Sequence, residues 1–289
     1  ASLAQMATTI NHMTDGKFLL GIGAGEGMNL KAYNIPYDHA VTKISESIRL
    51  MKEFWEKGRD ITFNGKYFQT KNAVMLPQPL SEIPVWVAGN GPKTLKLTAE
   101  LADGWMPLGP FSELYKDSRN KILDIMKKKG RDPNNFTFGY FSRIFINDDM
   151  EKLDSFYKGM KAGLSMQPKT LKKLGYWKEE YEQIFNEATG FSSDEMSILV
   201  YDREDVAKFN YRKLAPLAED IPDILIKESG MIGTTEEIIK KIQKFVDAGA
   251  QHFILELQHG VSSRNAPFTY FDVSRIISEE IIPIFKDSN

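Results

Sequence analysis

The chain has 289 residues, of which 42% are hydrophobic and 26% charged, and α/β barrels often reach this length as one domain. Its net charge is −2, from 37 basic and 39 acidic residues, so no broad positive field favours nucleic-acid binding. The chain has no cysteine, which excludes disulfides, iron–sulfur clusters and thiolate metal sites.

The first part of the chain predicts a helix, a buried strand and a second, amphipathic helix. The first helix covers 1–13, and the strand covers 17–23. Between 37 and 57 apolar residues recur at helical spacing, and Gly58 closes that helix.

The stretch 61–70 predicts a β-hairpin. It contains two β-like runs on either side of Asn64-Gly65. Asn-Gly is the favoured pair for a two-residue type I′ turn, so we expect the two strands to meet there.

The rest of the chain alternates short apolar strands with amphipathic helices. Strands are predicted at 84–88, 104–108, 136–146 and 252–258, and helices at 93–101, 111–129, 236–247 and 271–285. Thr234 and Glu237 have the spacing of a capping box for the third of these helices. Such alternation is typical of parallel β-strands with crossover helices.

The segment 149–232 breaks this alternation because it is long, polar and helical in pattern. We interpret it as a helical insertion between the last two strands of a single domain that spans 1–289. The pattern is compatible with a cover over an active-site mouth and equally with a peripheral pair of helices. With five strand–helix units, a doubly wound sheet is possible, whereas an eight-stranded barrel would not close.

The stretch 18–29, FLLGIGAGEGMN, joins a buried strand to a glycine-rich bend that an acid follows directly. Glycine lets a ligand approach the backbone closely, because it has no Cβ and tolerates positive φ. Glu26 would then lie where a ligand binds. The alternative is a strand followed by an ordinary flexible loop, and the glycines alone do not decide between the two.

A second glycine-rich turn, GNGPKT at 89–94, lies between a predicted strand and a predicted helix. Backbone N–H groups at a helix N-terminus bind anions, and proline suits the first helical turn. The turn therefore favours an anion site, and an ordinary strand-to-helix turn is the alternative.

The last predicted strand alternates in polarity. Phe253, Leu255 and Leu257 form an apolar face, and Glu256 and Gln258 lie on the other face. In a barrel the second face looks inward, near the catalytic mouth. A glutamate paired with a lysine or an arginine is the alternative.

Other patterns exclude several kinds of partner. The four histidines show no metal-ligand spacing, no apolar run has the length of a membrane span, and no signal peptide is visible. We therefore expect a cytoplasmic protein that acts on a small molecule, without a metal, a membrane or nucleic acid as partner.

Four ordered motifs together resemble the bacterial luciferase-like superfamily, and within it the branch that uses coenzyme F420. They are residues 1–29, the LPQP after the hairpin, IPVWVAGNGPKTLKLTAELADGW at 83–105, and IGTTEEIIKKIQKFVDAGAQHFIL at 232–255. The resemblance covers nearly the whole chain. It points to F420-dependent reductases of the phthiodiolone ketoreductase and methylenetetrahydromethanopterin reductase type.

The resemblance implies an α/β fold, a TIM (β/α)8 barrel with a helical insertion before its last strand. The strands predicted above then correspond to the fourth to the eighth, and the first three are expected to be missing. We therefore expect an N-terminally incomplete chain, or a barrel whose missing strands another chain supplies. The resemblance also implies a homo-oligomer, at least a dimer.

The resemblance further implies roles for individual residues. Glu26 matches the family's acid beside the cofactor ring, where a carboxyl group can carry a proton as hydride moves. Asp103 and Trp105 are expected to be structural. The expected cofactor contacts are Ala24, Gly25 and Asn29 in the bend and Asn90, Gly91 and Thr94 in the phosphate-binding turn. The expected pocket lining is Leu108, Glu256 and Gln258.

The implied activity is an F420-dependent oxidoreductase that transfers hydride between the deazaflavin and a small, weakly polar organic substrate. Related sugar-phosphate enzymes carry threonine and lysine after the sixth strand, whereas this chain has the apolar stretch MPLGPF at 106–111. The alternatives are an FMN-dependent luciferase-like monooxygenase and a non-catalytic cofactor-binding protein.

Overall fold

The computed structural model describes residues 1–109, 111–196, 203–257 and 270–286. The chain forms two compact units. The first consists of Ala1–Ala24, Asp38–Phe141 and Phe245–Ile254, and the second of Gly25–Tyr37, Ser142–Lys244 and Leu255–Asn289.

The described residues form strands and helices in alternation. The strands are β1 (Leu20–Ile22), β2 (Ile61–Asn64), β3 (Gln69–Ala73), β4 (Val85–Val87), β5 (Gly104–Trp105), β6 (Thr137–Ile146), β7 (Met231–Gly233) and β8 (His252–Leu257). The first seven helices are α1 (Ser2–Met13), α2 (Gly27–Lys31), α3 (Ala40–Lys57), α4 (Pro92–Leu101), α5 (Ser112–Lys128), α6 (Met150–Ser165) and α7 (Pro168–Lys173). The other seven are α8 (Tyr181–Thr189), α9 (Arg203–Ala207), α10 (Ala215–Asp220), α11 (Asp223–Glu228), α12 (Thr235–Asp247), α13 (Tyr270–Ile276) and α14 (Ile282–Lys286).

The first unit is built on a parallel sheet, as the strand–helix alternation predicts. Strand β1 pairs with β4, β4 with β5, and β5 with the first half of β6, all in parallel. Val85 and Val87 of β4 are 0% exposed, because a parallel strand covered by helices is buried on both faces. No helix in the described ranges combines the length and apolar content needed to cross a bilayer.

Aromatic side chains form the core of the first unit. Trp105 is 0% exposed and stacks on Tyr115 with 5.0 Å between ring centroids. Tyr140 stacks on Phe245 with a centroid distance of 3.8 Å. Asp103 accepts hydrogen bonds from the Lys52 Nζ at 2.8 Å and the Val85 N–H at 2.9 Å. Trp105 and Asp103 are therefore structural, as predicted.

In the second unit, the second half of β6 pairs in parallel with β7, with Ile144 opposite Met231. Strand β8 also pairs with β6. Sequence analysis assigned β7 to the helical insertion 149–232, and this was wrong: helices α6–α11 lie between β6 and β7, not between the last two strands. Strand β7 has three residues: it follows Gly230, which has a φ of 60°, and ends at Gly233, which has a φ of 147°. So short a run carries no periodic signal.

The hairpin is present, but the two-residue turn predicted for it was wrong. Asn64 pairs with Gln69, so the loop is 65–68 and has four residues. The Glu46 carboxylate on α3 holds this wider loop, because it accepts hydrogen bonds from three consecutive N–H groups. The donors are Lys66 at 2.8 Å, Tyr67 at 2.8 Å and Phe68 at 3.1 Å.

The predicted capping box begins α12. The Thr234 N–H donates to the Glu237 carboxylate at 2.9 Å, and the Glu237 N–H donates to the Thr234 hydroxyl at 3.3 Å. One turn further on, Lys241 is 6% exposed and donates from its Nζ to the carbonyl oxygen of Ile232. Burial lowers the pKa of Lys241 to about 8, although the charges of Glu237 and Glu228 oppose that shift.

Because Lys241 is buried, we expect the free energy of unfolding to rise with pH. Below about pH 8 the folded chain bears the full cost of burying the charge of Lys241, because both states hold the proton. Between about 8 and 10.5 the unfolded chain keeps a proton that the folded chain has released, so the free energy of unfolding rises by roughly 3 kcal/mol.

Denaturant unfolding of wild type and Lys241→Met across that pH window measures this contribution. We expect the stability difference between the two proteins to change by the amount given above. Lys96→Met removes an exposed lysine of α4, and its free energy of unfolding should change with pH as that of wild type does. If the free energy of unfolding of Lys241→Met also changed with pH as that of wild type does, Lys241 would keep its ordinary pKa in the folded chain.

Candidate functional site

In the first unit, the turn 89–94 joins β4 to α4. Gly89 has a φ of 134°, and a Cβ there would lie 2.9 Å from the Thr94 Cγ2. Gly91 is the N-cap of the ten-residue helix α4, makes no side-chain cap bond, and Pro92 occupies the first turn. The first N–H groups of a helix have no intrahelical acceptor, so this turn can donate them to an anion.

Neighbouring loops hold this turn in place. The Trp105 indole N–H donates to the Gly89 carbonyl at 2.9 Å, and the Asn90 side-chain amide donates to the Leu108 carbonyl at 2.7 Å. The Tyr140 hydroxyl donates to the Gly109 carbonyl at 2.6 Å. Sequence analysis missed these contacts, because each joins residues that are far apart in the chain.

Each predicted residue of the turn has a defined place. Asn90 and Gly91 are exposed, whereas Thr94 is half-buried. A Cβ on Gly91 would meet only the Thr94 Oγ1, at 3.9 Å, so the space in front of Gly91 is open. Leu108 is 55% exposed and forms a parallel bridge with Phe141.

In the second unit, the glycine-rich bend leads into the short helix α2. Gly25 has a φ of 68°, a conformation that favours glycine. Glu26 is half-buried and is the N-cap of α2. The Asn29 side-chain amide donates to the Glu26 carboxylate at 2.9 Å, so these two predicted residues lie together. Ala24, the last residue of its segment in the first unit, is half-buried.

Tyr37 adds a group that the sequence did not indicate. Burial, and then the negative charge of Glu26, raise the pKa of the Tyr37 hydroxyl above its usual value. The hydroxyl therefore stays protonated at neutral pH in the electrostatic range of Glu26. A protonated phenol near a carboxylate is a second group able to donate a hydrogen bond at this end of the loop.

Of the two pocket residues predicted on the last strand, the structure describes Glu256. Glu256 on β8 is exposed, and the Arg143 Nε on β6 donates to its carboxylate at 3.2 Å. This is the ion pair that the sequence left as an alternative for Glu256. Gln258 lies outside the described residues. The pair is solvent-exposed, with 66% of the Arg143 side chain and 45% of the Glu256 side chain accessible.

The described ranges contain no group of three or more histidine, cysteine, aspartate or glutamate side chains that could hold a metal ion. The turn offers backbone N–H groups to an anion, and the bend offers the carboxylate of Glu26.

Comparison with known proteins gives the chain's family. The model of the luciferase-like monooxygenase family matches residues 1–252. The chain is 27% identical over 267 residues to the phthiodiolone/phenolphthiodiolone dimycocerosates ketoreductase of Mycobacterium tuberculosis. That match covers 88% of this chain and 65% of the ketoreductase, so the chain spans about two thirds of its relative's length.

Two solved structures have the same fold. An F420-dependent secondary alcohol dehydrogenase, in complex with an F420–acetone adduct, is 23% identical with a TM-score of 0.67, covering 99% of this chain and 74% of that one. The coenzyme F420-dependent tetrahydromethanopterin reductase of Methanopyrus kandleri is 19% identical with a TM-score of 0.71, covering 98% and 79%. These structures show the fold, and the family match over residues 1–252 shows that this chain belongs to the luciferase-like monooxygenase family.

Proposed function

We propose that this protein is an F420-dependent oxidoreductase that exchanges hydride with a small, weakly polar organic substrate. The observation that carries the proposal is the open helix N-terminus at Gly91 in the first unit. The glycine-rich bend that ends in Glu26, in the second unit, is consistent with it. The similar proteins named above that use F420 support the choice of cofactor over FMN.

The residues of this chain fit such a cofactor. The first-turn N–H groups of α4 would hold its phosphate, with the Thr94 hydroxyl beside them. Gly89 and Gly91 keep side chains out of the approach to these N–H groups. Gly25 and Ala24 would let the deazaflavin approach the backbone of the bend. Bound F420 would supply a carrier that gives or takes one hydride.

Glu26 would handle the proton that accompanies the hydride. A carboxylate can take a proton from a substrate hydroxyl as hydride leaves its carbon, and can return it in the reverse direction. The hydrogen bond from Asn29 fixes the orientation of one carboxylate oxygen. That contact would use the Asn29 amide to position Glu26, and leave the Asn29 side-chain oxygen for the cofactor.

We further propose that the parallel strands belong to a TIM-type barrel, in which catalytic residues follow the carboxyl ends of the strands. The bend after β1 and the turn after β4 both have that position in the chain. The apolar stretch after β5 supports a weakly polar substrate, because exposed Leu108 offers no partner for a sugar phosphate.

Gly91→Ala tests the phosphate contact. The φ of Gly91 is −72°, which alanine adopts without strain, so the fold should be kept. Its methyl group would enter the open space before the helix N–H groups, and we expect the Kd for F420 to rise by at least about tenfold. Fluorescence titration of the purified chain with F420 measures that constant.

Gly159→Ala, on α6 with open space around the added methyl, is the matched control and should bind F420 like wild type. Equal affinity of Gly91→Ala and wild type would remove the turn from the cofactor site. Turnover is then tested with reduced F420 and a panel of small ketones and imines. A chain that binds F420 but oxidises it with none of them would be a cofactor-binding protein rather than an enzyme.

A further inference from the structure

The parallel sheet of the first unit has two different faces. Trp105 of β5 stacks on Tyr115 of α5, so its face of the sheet is the one that packs against helices. The strand register places Gly21 of β1 beside Trp86 of β4, and Trp86 beside Gly104 of β5. Successive residues of a strand point to opposite faces, so these three lie on the face opposite Trp105. We call it the inner face.

The Trp86 indole covers part of the inner face. Trp86 is 5% exposed. A Cβ on Gly104 would lie 2.6 Å from the Trp86 Cδ1, and one on Gly139 of β6 would lie 2.9 Å from its Cζ3. The indole therefore lies across the backbone of both glycines. The His252 ring of β8 meets it edge-on, with 5.1 Å between ring centroids. Trp86 thus fills the inner face at this level of the sheet.

Met106 lies one layer further toward the carboxyl ends of the strands. It follows Gly104 by two residues and so shares its face, and its N–H donates to the Val87 carbonyl at 3.0 Å. Its side chain reaches across to β1, because a Cβ on Gly21 would lie 2.9 Å from the Met106 Cε. Met106 is half-buried, so part of this side chain is open to a ligand.

The inner face beyond Met106 is lined by small residues. Gly23 is exposed, and among the described residues a Cβ there would meet only the Ala88 Cβ, at 3.5 Å. Leu108 follows Met106 by two residues and is 55% exposed, and two residues of a strand span about 7 Å. The Asn90 amide donates to the Leu108 carbonyl, so this recess between Leu108 and Met106 lies beside the turn 89–94.

We propose that Met106 is a specificity-determining residue, and that the recess takes an aromatic ring attached to the carbonyl carbon of the substrate. The inference rests on the function proposed above and names its substrate class as aryl ketones and the corresponding alcohols. A thioether makes favourable contacts with aromatic rings. A depth of about 7 Å accommodates one ring, whereas Met106 and Trp86 block the path of an extended alkyl chain.

NMR of the full chain with isotope-labelled methionine methyl groups, titrated with acetophenone, tests the recess without cofactor or turnover. The loss of one resonance in Met106→Leu assigns the Met106 methyl group. We expect that resonance to shift saturably, and that of Met126, which is 0% exposed, to stay in place. Octan-2-one, a linear ketone with as many carbons as acetophenone, should bind at least about fivefold more weakly.

Two variants change the recess, and ligand-observed NMR gives their Kd values. Met106→Leu keeps the volume but removes the sulfur, so the preference for acetophenone over octan-2-one should fall about threefold. In Gly21→Ala the added methyl displaces the Met106 Cε, and the Kd for acetophenone should rise at least about threefold. Gly163→Ala on α6, with open space around the added methyl, is the matched control and should bind like wild type.

The inference is overturned if acetophenone leaves the Met106 resonance in place up to its solubility limit. It is also overturned if the resonance of Met150, which is 54% exposed, shifts equally, or if Met106→Leu keeps the full preference for acetophenone. No F420 is present in this titration. Its failure therefore leaves the F420 titration of Gly91→Ala unaffected, and a failure to bind F420 would not change the result expected here.

Discussion

Replacing Glu26 with glutamine is expected to lower kcat by about a hundred- to ten-thousand-fold, the usual contribution of a general acid–base group. Glutamine keeps the shape of the side chain and can still accept the hydrogen bond from Asn29. It cannot carry the proton that accompanies the hydride. The affinity for F420 should therefore stay within about twofold of wild type.

The measurement is the rate of F420 oxidation or reduction with whichever panel substrate supports turnover, at saturating cofactor. Glu56→Gln, which changes an exposed glutamate of α3, controls for the charge. Unchanged turnover in Glu26→Gln would remove Glu26 from the mechanism. A loss of F420 binding in that variant would instead make Glu26 a structural residue of the bend.

The second large effect is expected at Trp105, which links the core of the first unit to the turn 89–94. Trp105→Ala should lower the free energy of unfolding by about 4 kcal/mol, as for other large-to-small changes at buried aromatic positions. The residue is 0% exposed, stacks on Tyr115 and donates to the Gly89 carbonyl. Denaturant unfolding of the purified chain measures this loss.

Trp105→Phe separates packing from positioning. Phenylalanine keeps most of the stacking but cannot donate to Gly89, so we expect the Kd for F420 to rise about fivefold. Trp86→Phe, at another buried tryptophan of the same sheet, should weaken folding without a comparable effect on F420. If both variants bind F420 equally well, the indole hydrogen bond does not position the turn.

Sequence analysis predicted the regular part of the fold because its periodic segments were long. The helices at α3, α5 and α12 appear where the apolar spacing placed them, and the capping box at Thr234 and Glu237 has its expected bonds. Strand β7 was missed because a strand of three residues, the last of them Gly233, is too short to show a period. The hairpin turn was wrong because the acceptor that widens it, Glu46, lies about twenty residues earlier.

The candidate site was predictable only where one short segment supplies it. Glu26 with Asn29, and Gly89 with Gly91, are close in the sequence, so their motifs indicated them. For contacts between distant segments the sequence could not name the partner: a lysine or an arginine was an alternative for Glu256, but only the structure identifies Arg143. The sequence of strand β6 gave a weak signal for the position of Arg143, because residues two apart in a strand share a face and Arg143 therefore lies on the same face as Phe141.

The most direct test of the account is an anaerobic titration of the purified chain with F420 and, separately, with FMN, followed by cofactor fluorescence. We predict saturable one-to-one binding of F420 with a Kd at least about tenfold lower than that for FMN. Weakening of that binding by Gly91→Ala would connect it to the turn after β4. Tight binding of FMN without measurable binding of F420 would contradict the account and favour a flavin-dependent monooxygenase.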